Sequence, residues 1–224
     1  MLLSVSIVAL WNVSLAQAGV YAHYNFDTDY TDSSGNARHG SLTDVGTAAN
    51  TFITTAAGDH KFGGGAVDFS DDQDYVALPS KTFGSGSAYS IAFWAQVDSA
   101  SRKWNMTIGE VGNNNFFIGL NGEVNNLRWR SSSSSLARQA DFATGVNDTN
   151  WHHYAIVASG TNLSTYLDGS LVSTATGKQT GIIIDAIGAA YSAGSNFDFQ
   201  GRMDEVWIFD EAIEAGVVSS LYTL

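Results

Sequence analysis

Short alternating runs cut by turn residues fill this chain from Gly19 onward, and they leave little room for anything but strands. "VYAHYNF" (20–26) alternates, with Tyr24 and Phe26 on one face. "AYSIAFWAQV" (88–97) is longer and lines up Ile91, Phe93, Ala95 and Val97. "AVDFS" (66–70) and "DYVALP" (74–79) flank "DDQ", which predicts a hairpin. "NFFIGL" (115–120) and "VNNLRWR" (124–130) meet at Asn121-Gly122, a strong hairpin signal. "HHYAIVAS" (152–159), "LSTYLDG" (163–169) and "SLVSTA" (170–175) read as a meander turning at Asp168-Gly169. "GIIIDAIGAA" (181–190) reads as buried, and "RMDEVWIFD" (202–210) alternates Met203, Val206 and Ile208 with polar residues. Only "EAIEAGVVSSLYTL" (211–224) reads as a short helix. The 23 Gly and single Pro suit many strands joined by turns. No interior linker or solenoid repeat divides the chain, so the economical fold is all-β: one two-sheet antiparallel sandwich with a short C-terminal helix.

Composition narrows the function. With 44% hydrophobic and 12% aromatic residues the chain can bury a real core. A net charge of −12 repels phosphate backbones, which argues against nucleic acid and anionic membranes and favours cations or neutral polymers. There is no Cys, so disulfides, zinc thiolate sites and a Cys nucleophile are excluded.

The first 18 residues differ from the rest. "MLLSVSIVALWNVSLAQA" has no charged side chain, an apolar middle and an Ala16-Gln17-Ala18 end followed by Gly19. That pattern predicts a secretory signal peptide over 1–18 and a mature domain over 19–224, with no membrane insertion after processing. The n-region lacks its usual Lys or Arg, which leaves a second reading: a retained N-terminal arm that packs or donates a strand in an assembly.

Four stretches, in order, resemble the laminin-G-like jelly roll of the concanavalin A-like lectin and glucanase superfamily. They are "HKFGGGAVDFSDDQDYVALP" (60–79), "YSIAFWAQV" (89–97), "NWHHYAIVASGTNLSTYLDGSLVSTA" (150–175) and "GRMDEVWIFDEAI" (201–213). The opening "YNFDTDYTDSSGNARHG" (24–40) is similar to the first strand and turn of that family, so the likeness spans about residues 20–224. It implies a jelly roll; the fold hosts lectins, adhesion modules, enzymes and structural units, so it does not choose among them. Phe93, Trp94, Trp151, Tyr154, Tyr166 and Trp207 are the aromatic candidates for the core or for an outward-facing sheet surface, and periodicity alone does not sort them.

Three constellations could carry chemistry. Asp27, Asp32 and Asn36, with carbonyls of the Ser33–Gly35 turn, offer the oxygen donors that calcium takes. The resemblance implies that Asp204 would complete such a structural calcium site from the closing strand. In that reading Asp29 is simply solvated; the alternative is an Asx turn in which Asp32 and Asn36 bond their own backbone. The acidic "DFSDDQDYV" (68–76) reads as a solvated hairpin. His152 and His153 follow Trp151, and the resemblance implies a structural role for them; no nucleophile motif accompanies them. Glu110, Glu123, Glu205, Glu211 and Glu214 are scattered, and Asp204 and Glu205 would point to opposite faces of a strand, so no glycosidase carboxylate pair is evident. Finally, "SRKWNM" (101–106) and "LRWRSSSSS" (127–135) place Trp104 and Trp129 beside Arg128 and Arg130. Five of the 10 Lys and Arg residues lie in 102–138, which predicts a basic, aromatic surface for a glycan or for another subunit.

The sequence therefore predicts a secreted, extracellular, calcium-stabilised binding module without catalytic residues. Its expected partners are a polysaccharide or glycoprotein surface, as in carbohydrate binding or cell adhesion. The alternative is a structural subunit that self-associates into an extracellular assembly or filament.

Overall fold

The computed structural model describes residues 19–45, 52–69, 73–112, 116–131, 136–146, 148–190 and 198–224. The predicted leader, Asp71, Asp72 and the serine run 132–135 lie outside the described residues.

Fifteen strands are present among the described residues, in chain order: β1 Val20–Tyr24, β2 Ser41–Thr43, β3 Phe52–Thr54, β4 Ala66–Phe69, β5 Tyr75–Phe83, β6 Tyr89–Val97, β7 Asn105–Gly109, β8 Phe117–Asn121, β9 Asn126–Arg130, β10 Gln139–Ala143, β11 His152–Ser159, β12 Asn162–Leu167, β13 Ser170–Ala175, β14 Ile182–Ile187 and β15 Gly201–Phe209. One helix, α1, spans Ala215–Tyr222. The first sheet runs β13-β12-β11-β6-β15-β4-β3, with β1 also paired to β15, and the second runs β10-β9-β8-β7-β14-β5-β2.

Alternation builds the core between the sheets. Ile91, Phe93, Tyr154, Ile156, Met203, Val206 and Ile208 face inward from the first sheet. Ile108, Ile118, Leu127, Trp129, Phe142, Ile182 and Ile184 meet them from the second. The other face of the first sheet is covered by α1, whose Val218 and Leu221 pack on Ala92, Ala155, Val157 and Phe209. The expected two-sheet sandwich with a short C-terminal helix is the fold.

Two local expectations change. β4 and β5 do not form a hairpin: β4 pairs with β15 and β3 in the first sheet, and β5 pairs with β14 and β2 in the second. Turn residues announce that a strand ends, but not which sheet the next strand joins. On β15, the pairing with β6 slips between Asp204 and Trp207, and Glu205 takes φ 50°. This bulge lets Met203 and Val206, three residues apart, both face the core.

The β8–β9 hairpin forms as expected, with Asn121 opposite Asn126. Asn125 supplies the left-handed residue at φ 51°. Gly122 is needed for close approach, since a Cβ there would sit 2.1 Å from the Ala100 carbonyl oxygen.

Candidate functional site

The acidic turn after β1 is held by its own backbone. Asp32 Oδ1 accepts from the His23 N–H at 3.0 Å and the Ser34 N–H at 2.9 Å, and Oδ2 accepts from the Arg38 N–H at 3.0 Å. Burial pushes the Asp32 carboxyl up, but the hydrogen bonds from Ser34, His23 and Arg38 outweigh it and hold its pKa below the usual carboxylate value. Asn36 donates its side-chain amide to the Val20 and Tyr21 carbonyls at 2.9 and 3.2 Å. Asp29 accepts from Thr31, closing a small exposed turn. This is the Asx-turn arrangement, extended into a staple between the loop and β1.

Asp27 and Asp204 act elsewhere. They grip the glycine-rich strap 60–65 from two points. Asp27 Oδ1 accepts from the Gly64 N–H, while Asp204 Oδ2 accepts from the Lys61 and Phe62 N–H groups at 2.9 and 3.0 Å. A Cβ at Gly63 would strike the Asp27 carboxylate, so this approach needs glycine. The described residues bring together no group of three or more His, Asp or Glu side chains that could hold a metal ion. The residues read as a cation site thus divide between two hydrogen-bonded anchors, Asp32 and Asn36 on the loop and Asp27 and Asp204 on the strap.

Asp204 lies in a sealed row on the outer face of the first sheet. It is opposite Trp94, and Trp94 is opposite His153. Tyr222 of α1 stacks on Trp94 at 5.4 Å, and the Lys61 ammonium sits 4.2 Å from the Trp94 ring centroid. Asp204 Oδ1, Trp94 Nε1 and His153 Nδ1 are buried there without a hydrogen-bond partner. Burial pushes the Asp204 carboxyl up to about 7 and the His153 imidazole down to about 4. The bulge also overturns the expectation that Asp204 and Glu205 face apart. Glu205 accepts from Trp207 Nε1 at 3.2 Å and pairs with His23 Nε2 at 2.6 Å, and the His23 ring stacks on Trp207 at 3.5 Å. Both carboxylates are buried under this outer layer.

The His pair is tied to the β12–β13 turn. Asp168, at φ 48° in the β12–β13 turn, accepts from the His153 N–H at 2.9 Å and pairs with His152 Nδ1 at 2.8 Å. That bond, aided by Asp148, holds the His152 pKa above the usual histidine value.

The outer face of the second sheet is different. Trp104, just before β7, is partly exposed and meets Phe117 edge-on at 6.0 Å. The Arg128 guanidinium carbon lies 4.6 Å from the Trp104 ring centroid. Arg128 grips Asp141 with two bonds, Nε to Oδ1 at 2.5 Å and Nη2 to Oδ2 at 2.9 Å. Gln139 donates to Asp141 Oδ2 at 2.8 Å. Trp104, Arg128, Asp141 and Gln139 form one connected, partly exposed network, with Arg130 two residues along β9. Trp129 does not belong to it. It is fully buried, its Nε1 donates to the Tyr89 hydroxyl at 2.9 Å, and its ring meets Phe116 edge-on. Alternation along β9 sends Arg128 and Arg130 outward and therefore Trp129 inward.

The basic cluster is also more balanced than the sequence suggested. Arg102 pairs with buried Asp198 at 2.7 Å, Lys103 with Glu123 at 3.6 Å and Arg128 with Asp141. No helix among the described residues is long and apolar enough to cross a membrane.

A family model described as concanavalin A-like lectin/glucanases superfamily, of laminin G type, matches residues 70–219. The chain belongs to this superfamily. Its laminin G-like domain resembles domain 4 of AbnA, an extracellular GH43 arabinanase from Geobacillus stearothermophilus solved with arabinotriose: 22% identity, TM-score 0.72, covering 92% of this chain and 98% of that one. It also resembles the binding domain of Paraclostridial Mosquitocidal Protein 1 (16% identity, TM-score 0.63, 91% of this chain and 52% of that one). The binding domain of botulinum neurotoxin serotype G is similar at 15% identity and TM-score 0.64, over 91% of this chain and 50% of that one. The chain thus spans about half the length of these toxin domains. At these identities the likeness speaks for the fold. A search of curated proteins finds no match.

The laminin G-like sheet surface contains one partner that sequence reasoning missed. Asp141 is what fixes Arg128 over Trp104. The signal that could have found it is β-alternation in "QADFA" (139–143), which turns Gln139 and Asp141 outward beside Arg130 and Arg128.

Proposed function

We propose that this laminin G-like domain is a secreted, non-catalytic module that holds a neutral glycan on the outer face of its second sheet, against Trp104, Arg128 and Arg130. The observation that carries this reading is the Trp104–Arg128–Asp141–Gln139 network. It offers an aromatic ring for the C–H face of a sugar and a fork of fixed donors and acceptors for its hydroxyls. Its members are held by each other, so little side-chain freedom is lost on binding.

Charge argues for a neutral ligand. Three of the five cations in 102–138 are already matched by carboxylates, on a chain of net charge −12. An anionic polymer would meet long-range repulsion and little unmatched positive charge. Support of a coarser kind comes from the arabinanase domain, a structure of the same fold that holds arabinotriose, a neutral oligosaccharide. Secretion is supported by the Ala16-Gln17-Ala18 end of the apolar leader, and an exported protein whose intact mass begins at Gly19 would confirm it.

The test is isothermal titration of residues 19–224 with a panel of neutral and uronic-acid oligosaccharides. Binding of a neutral member that Trp104→Ala abolishes in a folded protein supports the reading. A preference for uronic acids, or binding indifferent to Trp104, contradicts it.

A further inference from the structure

Trp104 lies outside the strand ladders. It ends the loop 98–104 between β6 and β7, one residue before the first β7 pair, Asn105 with Leu120. A side chain holds it there. Arg102 Nε donates to the Trp104 carbonyl at 2.7 Å, and Arg102 Nη2 donates to Asp198 Oδ1 at 2.7 Å. Asp198 is only 2% exposed, and its own carbonyl accepts from the Met106 N–H at 3.1 Å. The Arg102 carbonyl in turn accepts from the Gly122 N–H of the β8–β9 hairpin at 3.0 Å. Asp198 therefore ties the chain down on both sides of the tryptophan, through Arg102 before it and through Met106 after it.

As a source of stability this ion pair is weak. Two charges taken out of water recover that cost only when their remaining donors and acceptors are matched. Here Arg102 Nη1 and Asp198 Oδ2 are buried without a hydrogen-bond partner. What the pair does supply is geometry. The guanidinium is planar, so its Nε and Nη2 fix the Trp104 carbonyl relative to Asp198, whereas the ammonium of a lysine would carry the charge without the fork. The position of that backbone sets where the indole stands: edge-on to Phe117 at 6.0 Å, with its ring centroid 4.6 Å from the Arg128 guanidinium carbon.

We infer that Arg102 is a positioning residue for the glycan face, with Asp198 as its anchor. Arg102 acts through the Trp104 carbonyl, not on the sugar, and holds the indole in its bound orientation before the sugar arrives. Less freedom is then lost on binding. Of the basic residues in 102–138, Arg102 thus serves the face from behind while Arg128 serves it from the front. This inference rests on the glycan reading of the Trp104 face.

The experiment compares Arg102→Lys and Asp198→Asn in residues 19–224, titrated with arabinotriose, xylotriose and cellotriose at a temperature where each variant is folded. Arg102→Lys keeps a cation for Asp198 and loses the Nε donor. It should weaken binding about two- to tenfold, as freeing one held side chain does, and should move the Trp104 indole N–H signal of the sugar-free protein. Asp198→Asn keeps an acceptor oxygen for Nη2 but leaves a buried cation unmatched. It should lower the melting temperature more than Arg102→Lys does, yet bind closer to wild type. Affinity that falls in step with melting temperature across the two variants would reduce Arg102 to a structural role and overturn the inference. Wild-type affinity in Arg102→Lys would overturn it as well, and loss of binding in Trp104→Ala alongside would leave the glycan reading standing. Absence of binding to every sugar would overturn the glycan reading, and this inference with it.

Discussion

The two sheets carry similar aromatic and charged residues on their outer faces, but the chain treats the faces in opposite ways. On the first sheet, Trp94, Trp207, His153, Asp204 and Glu205 are covered by α1, by β1 and by the 60–65 strap. On the second, no element among the described residues folds back over Trp104, Arg128 and Asp141, and Trp104 stays partly exposed. Residue type alone therefore does not mark a binding face. What separates them among the described residues is an element folded back over one of them: the Trp-and-ion grouping of the first sheet is a structural layer because the C-terminus returns across it.

Variants on the two faces should separate stability from binding. The largest expected effect is on the covered side. Trp94→Ala removes a fully buried indole and its stacking on Tyr222, and should cost about 3–5 kcal/mol in denaturant unfolding. Glycan affinity of the remaining folded protein should be unchanged; a parallel loss of binding would break the distinction between the faces.

Next comes the buried row of Asp204 and His153, which should be neutral between about pH 4 and 7. The signs oppose each other. Asp204, raised to about 7, contributes stability at low pH that is lost as pH rises through 7. His153, lowered to about 4, contributes stability above pH 6.5 that is lost as pH falls toward 4. Each effect is on the order of 3 kcal/mol, so the two largely cancel in the native protein. Asp204→Asn should unmask the histidine, giving a stability that rises from pH 4 to 6.5 relative to wild type. His153→Gln should unmask the reverse slope. Parallel profiles for wild type and both variants would show that the row does not titrate in this way.

On the open side the stability effects are smaller. Trp104→Ala should cost about 1–2 kcal/mol of stability, since its ring is only partly buried, while removing glycan binding. Asp141→Asn should leave the fold intact and weaken binding several-fold by releasing Arg128. The smallest expected effect is no effect. Because Asp27, Asp32, Asn36 and Asp204 are engaged as backbone anchors, melting in calcium and in EDTA should coincide. A calcium-dependent rise in melting temperature would return those carboxylates to a cation site.

Much of the fold was legible because alternation and turn residues act locally. The meander 152–175 and its Asp168-Gly169 turn appear where the spacing puts them, and so does the Asn121-Gly122 hairpin. What escaped was decided at long range. Whether β4 turns onto β5 or crosses to the other sheet depends on partners far along the chain. Trp129 was read as a ligand contact because its arginine neighbours are surface residues; a period of two says that they and Trp129 face apart, but not which side is the core. The bulge at Glu205 reversed the facing of one carboxylate for a reason visible only in its backbone angle. Trp104 and Arg128 were legible as a surface pair; Asp141 joins them through the β9–β10 register.

The most direct measurement is a two-dimensional NMR titration of the tryptophan indole N–H signals with a neutral oligosaccharide that binds. Trp94, Trp129, Trp151 and Trp207 should hold still while the Trp104 signal shifts in proportion to occupancy. Movement of Trp94 or Trp207 with Trp104 unmoved would place the ligand on the covered face and contradict the account.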